Sequence, residues 1–406
     1  MRVAVLGAGL QGACVAMELA SRGIKVDLYE KNELCVTQAS AQNEGKIHLG
    51  YVYANDRSLR TARKMIEGAF AFTPLMRRWI GNAVDTLPVS KPFYYAVHKA
   101  SLLTVDEVES HLASCHAIAL ENRRNTKTDY FGFDPCVRPA RLSDSECDSL
   151  LNTRLVSAVF RTPEIAIDPE LLATAVRARL SADSRIRCRL GTLVQSAEAM
   201  ADGVWIESLN GSERTRQKYD HAVNCLWAER LRVDQTAGVE PARPWIYRIK
   251  YNLRLRSVRQ SQTIPSVTIV LGPFGDIVGY DPKSFYLSWY PVGMRGASSE
   301  LAPPNWPLAV DENVSIEIRS GIIEGLRAIV PSVAQFSAGN VESCRLKAGI
   351  IFAWGESDID DAGSGLHERH MIGPESHGRY HTIDTGKLTT APLFANEMAD
   401  RITHVG

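Results

Sequence analysis

Gly7, Gly9 and Gly12 follow directly on the short apolar run from Arg2 to Leu6, at the spacing G-x-G-x-x-G. In that spacing each glycine has its own task. The first allows a tight turn, the second lets backbone approach a pyrophosphate, and the third lets the following helix pack closely on the strand. The free N–H groups and positive dipole end of that helix then face the anion. An amphipathic helix is predicted from Ala13 to Arg22, with Gly23 closing it and a second buried strand from Lys25 to Tyr29. Glu30 ends that strand. An acidic residue about 20 positions beyond the glycines accepts hydrogen bonds from ribose hydroxyls and repels the extra phosphate of NADP. Together these residues predict dinucleotide binding, without distinguishing a flavin from a nicotinamide.

A second group of residues could handle an anionic ligand. Arg243, Arg248, Lys250, Tyr251, Tyr280, Tyr286 and Arg345 lie in or beside alternating segments at Tyr247 to Leu255, Val267 to Leu271, Ile277 to Tyr280 and Phe285 to Tyr290. Those four segments read as strands of an antiparallel sheet forming one wall of a pocket. A carboxylate or phosphate needs a fork-shaped guanidinium or a comparable cation. Arg248, Tyr251 and Arg345 are expected to bind substrate, with Lys250 on the face opposite Arg248 and Tyr251. His367, Arg369, His370, His377 and His381 have the composition of metal ligands. Their spacing is irregular and no cysteine or carboxylate completes a set, so no metal is expected.

These sites need a large globular frame. At 406 residues the chain exceeds the size at which one core stops growing, so two intimately packed domains are expected. Lysine plus arginine equals aspartate plus glutamate, 46 each, which removes any global field towards nucleic acid or an anionic membrane. The eight cysteines show no C-x-x-C spacing, and the start runs straight into an apolar segment without room for a signal peptide. Free thiols in the cytoplasm are therefore expected. No apolar run reaches the ~18 residues of a membrane span. Asp168 and Pro169 read as N-cap and first helical residue of a helix through Leu180, followed by strands at Ile186 to Leu190, Leu193 to Val194 and Val204 to Leu209, an Asn210-Gly211 hairpin turn, and a strand from Asp220 to Leu226.

The segment Ala39 to Tyr53 carries Ser40, Asn43, Gly45, Ile47, His48, Gly50, Tyr51 and Tyr53, followed by Ser58, Leu59 and Arg60. It resembles the flavin-facing segment of the D-amino-acid oxidase superfamily, and in particular its L-2-hydroxyglutarate dehydrogenase branch. The order of elements from Pro163 to Gly238 resembles the middle of the same superfamily. So does the C-terminal stretch from Ile372 through Asp384, Gly386, Lys387, Leu388, Thr389 and Pro392.

The resemblance implies FAD as cofactor and an α/β fold, in which a Rossmann-like FAD-binding domain carries an inserted antiparallel-sheet substrate domain. Residues 1–85, 150–238 and 340–406 would form the first domain and residues 86–149 and 239–339 the second. Ser40, Asn43 and Gly45 would face the flavin, Val194 the adenine half, and Gly386, Leu388 and Thr389 the pyrimidine edge. Lys387 would stabilise the charge of the reduced ring. The family usually has an alanine-glycine pair where this chain has Cys225-Leu226-Trp227.

The implied reaction takes a hydride from a CH–NH or CH–OH bond of a small, anionic substrate. An alcohol must lose its hydroxyl proton as hydride leaves, and His48, able to hold either protonation state near its unperturbed pKa of ~6.5, is the expected base. Tyr51 is expected to touch the substrate. Oxygen and other electron acceptors are not distinguished, and a flavin-binding protein without redox turnover is the alternative.

Overall fold

The computed structural model describes residues 1–125, 129–261, 263–337 and 339–404. Arg2–Leu6 forms the inner strand of a six-stranded sheet. Its spatial order is Gly373–His377, Tyr380–Asp384, His221–Asn224, Arg2–Leu6, Lys25–Tyr29 and Ile186–Arg189. Every pairing is parallel except that between the first two strands. Parallel strands need crossovers, and the helix Leu10–Ser21 supplies the first of them. That helix shares one apolar core with the C-terminal helix Ala391–His404, through residues such as Ala13, Met17, Phe394 and Met398. The hairpin expected at Asn210-Gly211 closes one residue later: Asn210 still pairs with Glu213, and Gly211 and Ser212 make the turn between Gly203–Asn210 and Glu213–Tyr219, within a three-stranded sheet completed by Thr192–Met200.

The second large sheet has nine strands. Met294–Ser298, Trp245–Ser257, Ser284–Trp289, Gly275–Gly279, Val267–Val270, Tyr94–His98, Val156–Arg161 and Ala140–Arg141 follow in space, and Val341–Trp354 pairs with Trp245–Ser257. Its pairings are antiparallel apart from Val267–Val270 beside Tyr94–His98. The fold is thus a Rossmann-like α/β unit joined to a sheet-rich one. Two strands depart from the expected division. Val156–Arg161 and Val341–Trp354, placed by sequence with the nucleotide-binding segments, are members of the nine-stranded sheet. The chain passes from one sheet to the other with no linker to mark the crossing.

Trp245–Ser257 also corrects a side-chain assignment. Strand side chains alternate, so residues three apart face opposite ways. Arg248, Lys250, Asn252 and Arg254 share one face, while Ile249, Tyr251, Leu253 and Leu255 sink into a core shared with the helix Glu312–Ile329. Lys250 therefore accompanies Arg248, and Tyr251 opposes both. Among the described residues, no helix is long and apolar enough to cross a membrane.

Candidate active site

A single cavity of about 520 Å³ runs from the glycine turn to a floor of charged and aromatic side chains supplied by the nine-stranded sheet, the short strand Lys46–Ile47 and the loops around them. At the turn, Gly7 takes φ +91°, a left-handed conformation disfavoured for other residues. The backbone of Cys225 and Leu226 lies about 3 Å from where its Cβ would be. The bulkier sequence that stands here in place of an alanine-glycine pair thus still packs its backbone against the glycine turn. Trp227 absorbs the strain at φ 55° and donates its indole N–H to Ile350 O at 2.8 Å. A Cβ on Gly12 would meet Gly7 O at 1.9 Å, so this residue packs helix on turn and does not line the cavity.

Glu30 accepts the Ala8 N–H at 3.1 Å and the Asn32 N–H at 2.9 Å. Ser40 Oγ accepts the Leu10 N–H at 2.9 Å, at the start of the first helix. Asn43 folds its own loop, donating to Ala39 O and Ser40 O and accepting the Gly45 N–H at 2.7 Å. Glu30, Ser40, Asn43, Val194, Gly386, Lys387 and Leu388 all line the cavity. Gly45 and Thr389 do not: Gly45 is pressed against Ile167 O, and Thr389 Oγ1 accepts the His48 N–H at 2.9 Å while donating to Lys46 O at 3.1 Å. These two residues shape the floor from behind.

The floor holds more charge than the sequence reading anticipated. His48 is buried, with Nε2 3.7 Å from Glu44 Oε1 and Nδ1 3.7 Å from Glu164 Oε1. Lys46 reaches across to Asp276 at 2.5 Å. Lys250 places its ammonium 4.2 Å from the centre of the Tyr290 ring. Arg248 pairs with Asp358, and Arg369 donates to Phe352 O at 2.9 Å. Gln11 Oε1, Gln42 Oε1, Tyr53 Oη, Arg248 Nε and Asn252 Oδ1 are buried, lack a hydrogen-bond partner and belong to residues lining this cavity. An unsatisfied buried polar atom costs ~1–3 kcal/mol. Such a concentration beside a glycine turn fits a polar, extended cofactor and its substrate.

Neighbouring charges decide the acidities. Burial pushes the Glu44 carboxyl up, but His48, Lys387, Lys250 and Lys46 together hold it well below the usual carboxylate range. Burial lowers the Lys387 ammonium, with Arg369 and Lys250 adding to the effect and Glu44 opposing it. Tyr290 is lowered although burial alone would raise it, because Lys250, Arg248 and Lys387 favour its phenolate. Tyr53 and Tyr286, in the same cavity, are raised by burial. Tyr290 should therefore titrate below the usual phenol value of ~10. Lys250→Met should move it upward, because the ammonium 4.2 Å from its ring centre is the first of the charges that favour the phenolate. Tyrosinate absorbance, read against Tyr290→Phe, measures both, and a wild-type Tyr290 titrating at or above ~10 would contradict the assignment.

Three expected substrate residues lie elsewhere. Tyr51 is buried against Tyr95, with ring centroids 5.8 Å apart. Tyr251 donates its hydroxyl to Pro307 O. Arg345 is exposed and pairs with Glu170 at 2.9 Å. None of them lines the cavity. Arg248 does, and so do His367 and Arg369 of the histidine-rich segment, which is thus partly a cavity wall. No group of three metal-ligating side chains occurs among the described residues. The sequence reading missed Glu44, Lys46, Asp276 and Tyr290 as cavity residues. Glu44 and Lys46 flank Gly45 two to four positions before His48, a local signal that could have found them, whereas Asp276 and Tyr290 arrive through the strand order alone.

Similar proteins share this architecture. The glycine oxidase from Geobacillus kaustophilus superposes with a TM-score of 0.70 at 15% identity, covering 99% of this chain and 95% of its own. The L-alpha-glycerophosphate oxidase from Mycoplasma pneumoniae, solved with FAD bound, gives 0.64 at 15% identity, covering 99% and 94%. At these identities the likeness is one of fold. A FAD-dependent monooxygenase from Fusarium mangiferae is 21% identical over 307 residues, which span 75% of this chain and 64% of that relative. Residues 2–401, nearly the whole length over which the glycine turn, both large sheets and the cavity are built, match the family described as FAD dependent oxidoreductase, and the chain belongs to that family.

Proposed function

We propose that this protein oxidises a small anionic amino acid, amine or 2-hydroxy acid, taking a hydride from its CH–NH or CH–OH carbon. The observation that carries this reading is one cavity that joins the glycine turn to a floor bearing His48, Arg248, Lys250, Arg369 and Lys387. FAD, when bound, supplies the hydride acceptor. Gly7, Gly9 and Glu30 are suited to the pyrophosphate and ribose, Val194 to the adenine half, and Ser40, Asn43, Gly386 and Leu388 to the flavin end. Arg248 is held by Asp358 through one nitrogen while its Nε stays unpartnered, so an edge of the guanidinium is available to a substrate carboxylate. His48 is the group that takes the proton of a substrate hydroxyl.

An anaerobic screen of flavin bleaching by amino acids, amines and 2-hydroxy acids tests the proposal. At least one anionic donor is expected to bleach the flavin. A yellow protein that none of them reduces would instead favour binding without turnover.

Lys387 provides a second check. FAD, when bound, would supply the hydride acceptor, and the Lys387 ammonium lining the cavity would offset the negative charge that reduction develops at the flavin end. Lys387→Met should keep FAD but show a lower midpoint potential and slower reduction, both effects having one cause. Spectroelectrochemical titration reads the potential. An unchanged value would place the ammonium out of reach of the ring.

A further inference from the structure

Glu164 is a carboxylate with no exposure to solvent and no part in the reaction as described so far. It stands just before the strand Ile165–Ala166, which pairs with Lys46–Ile47 and so carries Glu164 to the back of His48. Both its oxygens already receive donors: Tyr95 gives its hydroxyl to Oε1, and Leu49 gives its N–H to Oε2 at 2.7 Å. Two donors suit an ionised carboxylate. Among the described residues, the basic side chain within ion-pair distance of it is His48, whose Nδ1 lies 3.7 Å from Oε1 and has no other partner.

His48 has a second carboxylate neighbour, and the surroundings decide which of the two belongs to it. Glu44 Oε1 faces Nε2 at 3.7 Å on the cavity side, but Lys387, Lys250 and Lys46 share its charge. Glu164 has no lysine or arginine within ion-pair distance among the described residues. A buried carboxylate without a cation is costly, so the proton it most favours is the one on Nδ1.

We propose that Glu164 is the positioning residue of His48, holding a proton on Nδ1 so that Nε2 is the nitrogen that receives the substrate's proton. This rests on His48 acting as the base. In the reaction the substrate O–H bond breaks and its proton passes to Nε2. The C–H bond breaks with its electron pair leaving as hydride to FAD, and the substrate carbon becomes a carbonyl. The substrate loses two electrons, the flavin gains them, and the imidazolium formed on His48 is stabilised by the carboxylate behind it. The same logic orients histidines in other acid–base sites, where a wrong tautomer silences an intact geometry.

Glu164→Gln in the FAD-loaded protein is the test. The amide keeps the shape but turns an N–H towards either Tyr95 or Nδ1, which favours the tautomer whose Nε2 already carries hydrogen. Flavin should remain bound. Its reduction by a hydroxy-acid donor should slow by ~10²–10⁴-fold, and the acid limb of the pH profile should move to lower pH because the imidazolium has lost its counter-charge. Nitrogen-15 spectra of the histidine side chains should show Nδ1 protonated in the wild type and Nε2 protonated in the variant.

A Glu164→Gln protein with wild-type rate and wild-type acid limb overturns the proposal while His48→Ala remains slow. If His48→Ala itself reduces at the normal rate, the fault lies with His48 as base and this inference falls with it. Should Glu164→Gln fail to fold, the wild-type spectrum decides alone: a neutral His48 protonated on Nε2 overturns the proposal.

Discussion

Gly12→Ala should cost the protein both its FAD and a measurable part of its stability, although the change adds one methyl group. That methyl would lie 1.9 Å from Gly7 O, and both clashing partners are backbone, so no rotamer relieves the contact. Gly7 cannot retreat, because Cys225 O already lies 2.9 Å from where its own Cβ would be. The first helix must therefore tilt off the strand, which shifts the N–H groups that face the pyrophosphate. Overpacking a tight site costs ~1–3 kcal/mol and sometimes more, and this contact belongs at the upper end.

Gly9→Val provides the contrast. Its Cβ would meet only Ser40 Oγ, at 3.1 Å, and a side chain can move aside. The Gly9→Val protein should fold with nearly normal apoprotein stability and yet lack FAD, since the valine occupies the pyrophosphate's approach. Thermal melts of the apoproteins beside flavin absorbance of the purified proteins separate the two outcomes. Gly12→Ala with full FAD occupancy and an unchanged melting temperature would show that the turn tolerates what its geometry forbids.

The nucleotide half of this fold is legible in the sequence because its signals are local. Gly7, Gly9, Gly12 and Glu30 declare themselves within 24 consecutive residues, the strand Lys25–Tyr29 falls where its pattern places it, and the hairpin announced by Asn210-Gly211 closes within one residue of that pair. The substrate end is different. Its floor is assembled from Glu44, Lys46, Asp276, Lys250 and Tyr290, which lie on separate strands and loops brought together by sheet order. No periodicity within one segment announces that Lys46 will reach Asp276, 230 positions away.

Tyr251 and Arg345 illustrate the complementary error. Each has a residue type suited to binding an anion and stands on a strand of the correct sheet, but on the wrong face or at an exposed position. For Tyr251 the period-two rule applied strictly to Arg248 would have given the answer, because three residues along a strand reverse the face. For Arg345 only the pairing of Val341–Trp354 with Trp245–Ser257 shows that the guanidinium meets Glu170.

His48→Ala carries the largest expected effect on chemistry. The substitution leaves the backbone tie intact, since the His48 N–H that Thr389 Oγ1 accepts at 2.9 Å is not part of the side chain. The loop and the cavity should therefore persist, and FAD should remain bound. What is lost is the one imidazole set between Glu44 and Glu164. Removing it leaves Glu164 without its basic neighbour, so some loss of thermal stability should accompany the kinetic effect.

With a hydroxy-acid donor, flavin reduction should slow by ~10²–10⁴-fold, the usual contribution of a general base, because the hydroxyl proton must depart as the hydride does. A neutral amine already supplies the electrons that expel hydride, so with an amine donor the same variant should lose little. The ratio of the two losses thus reports the donor class for which the site is built. Stopped-flow reduction at saturating donor, normalised to bound FAD, makes the comparison independent of occupancy and of folding yield. A rate equal to wild type with the best donor would return His48 to a role in ordering the loop, and the proton would then have to leave through another group on the same floor, of which Tyr290 is the one with a pKa held below the usual phenol value and a lysine over its ring.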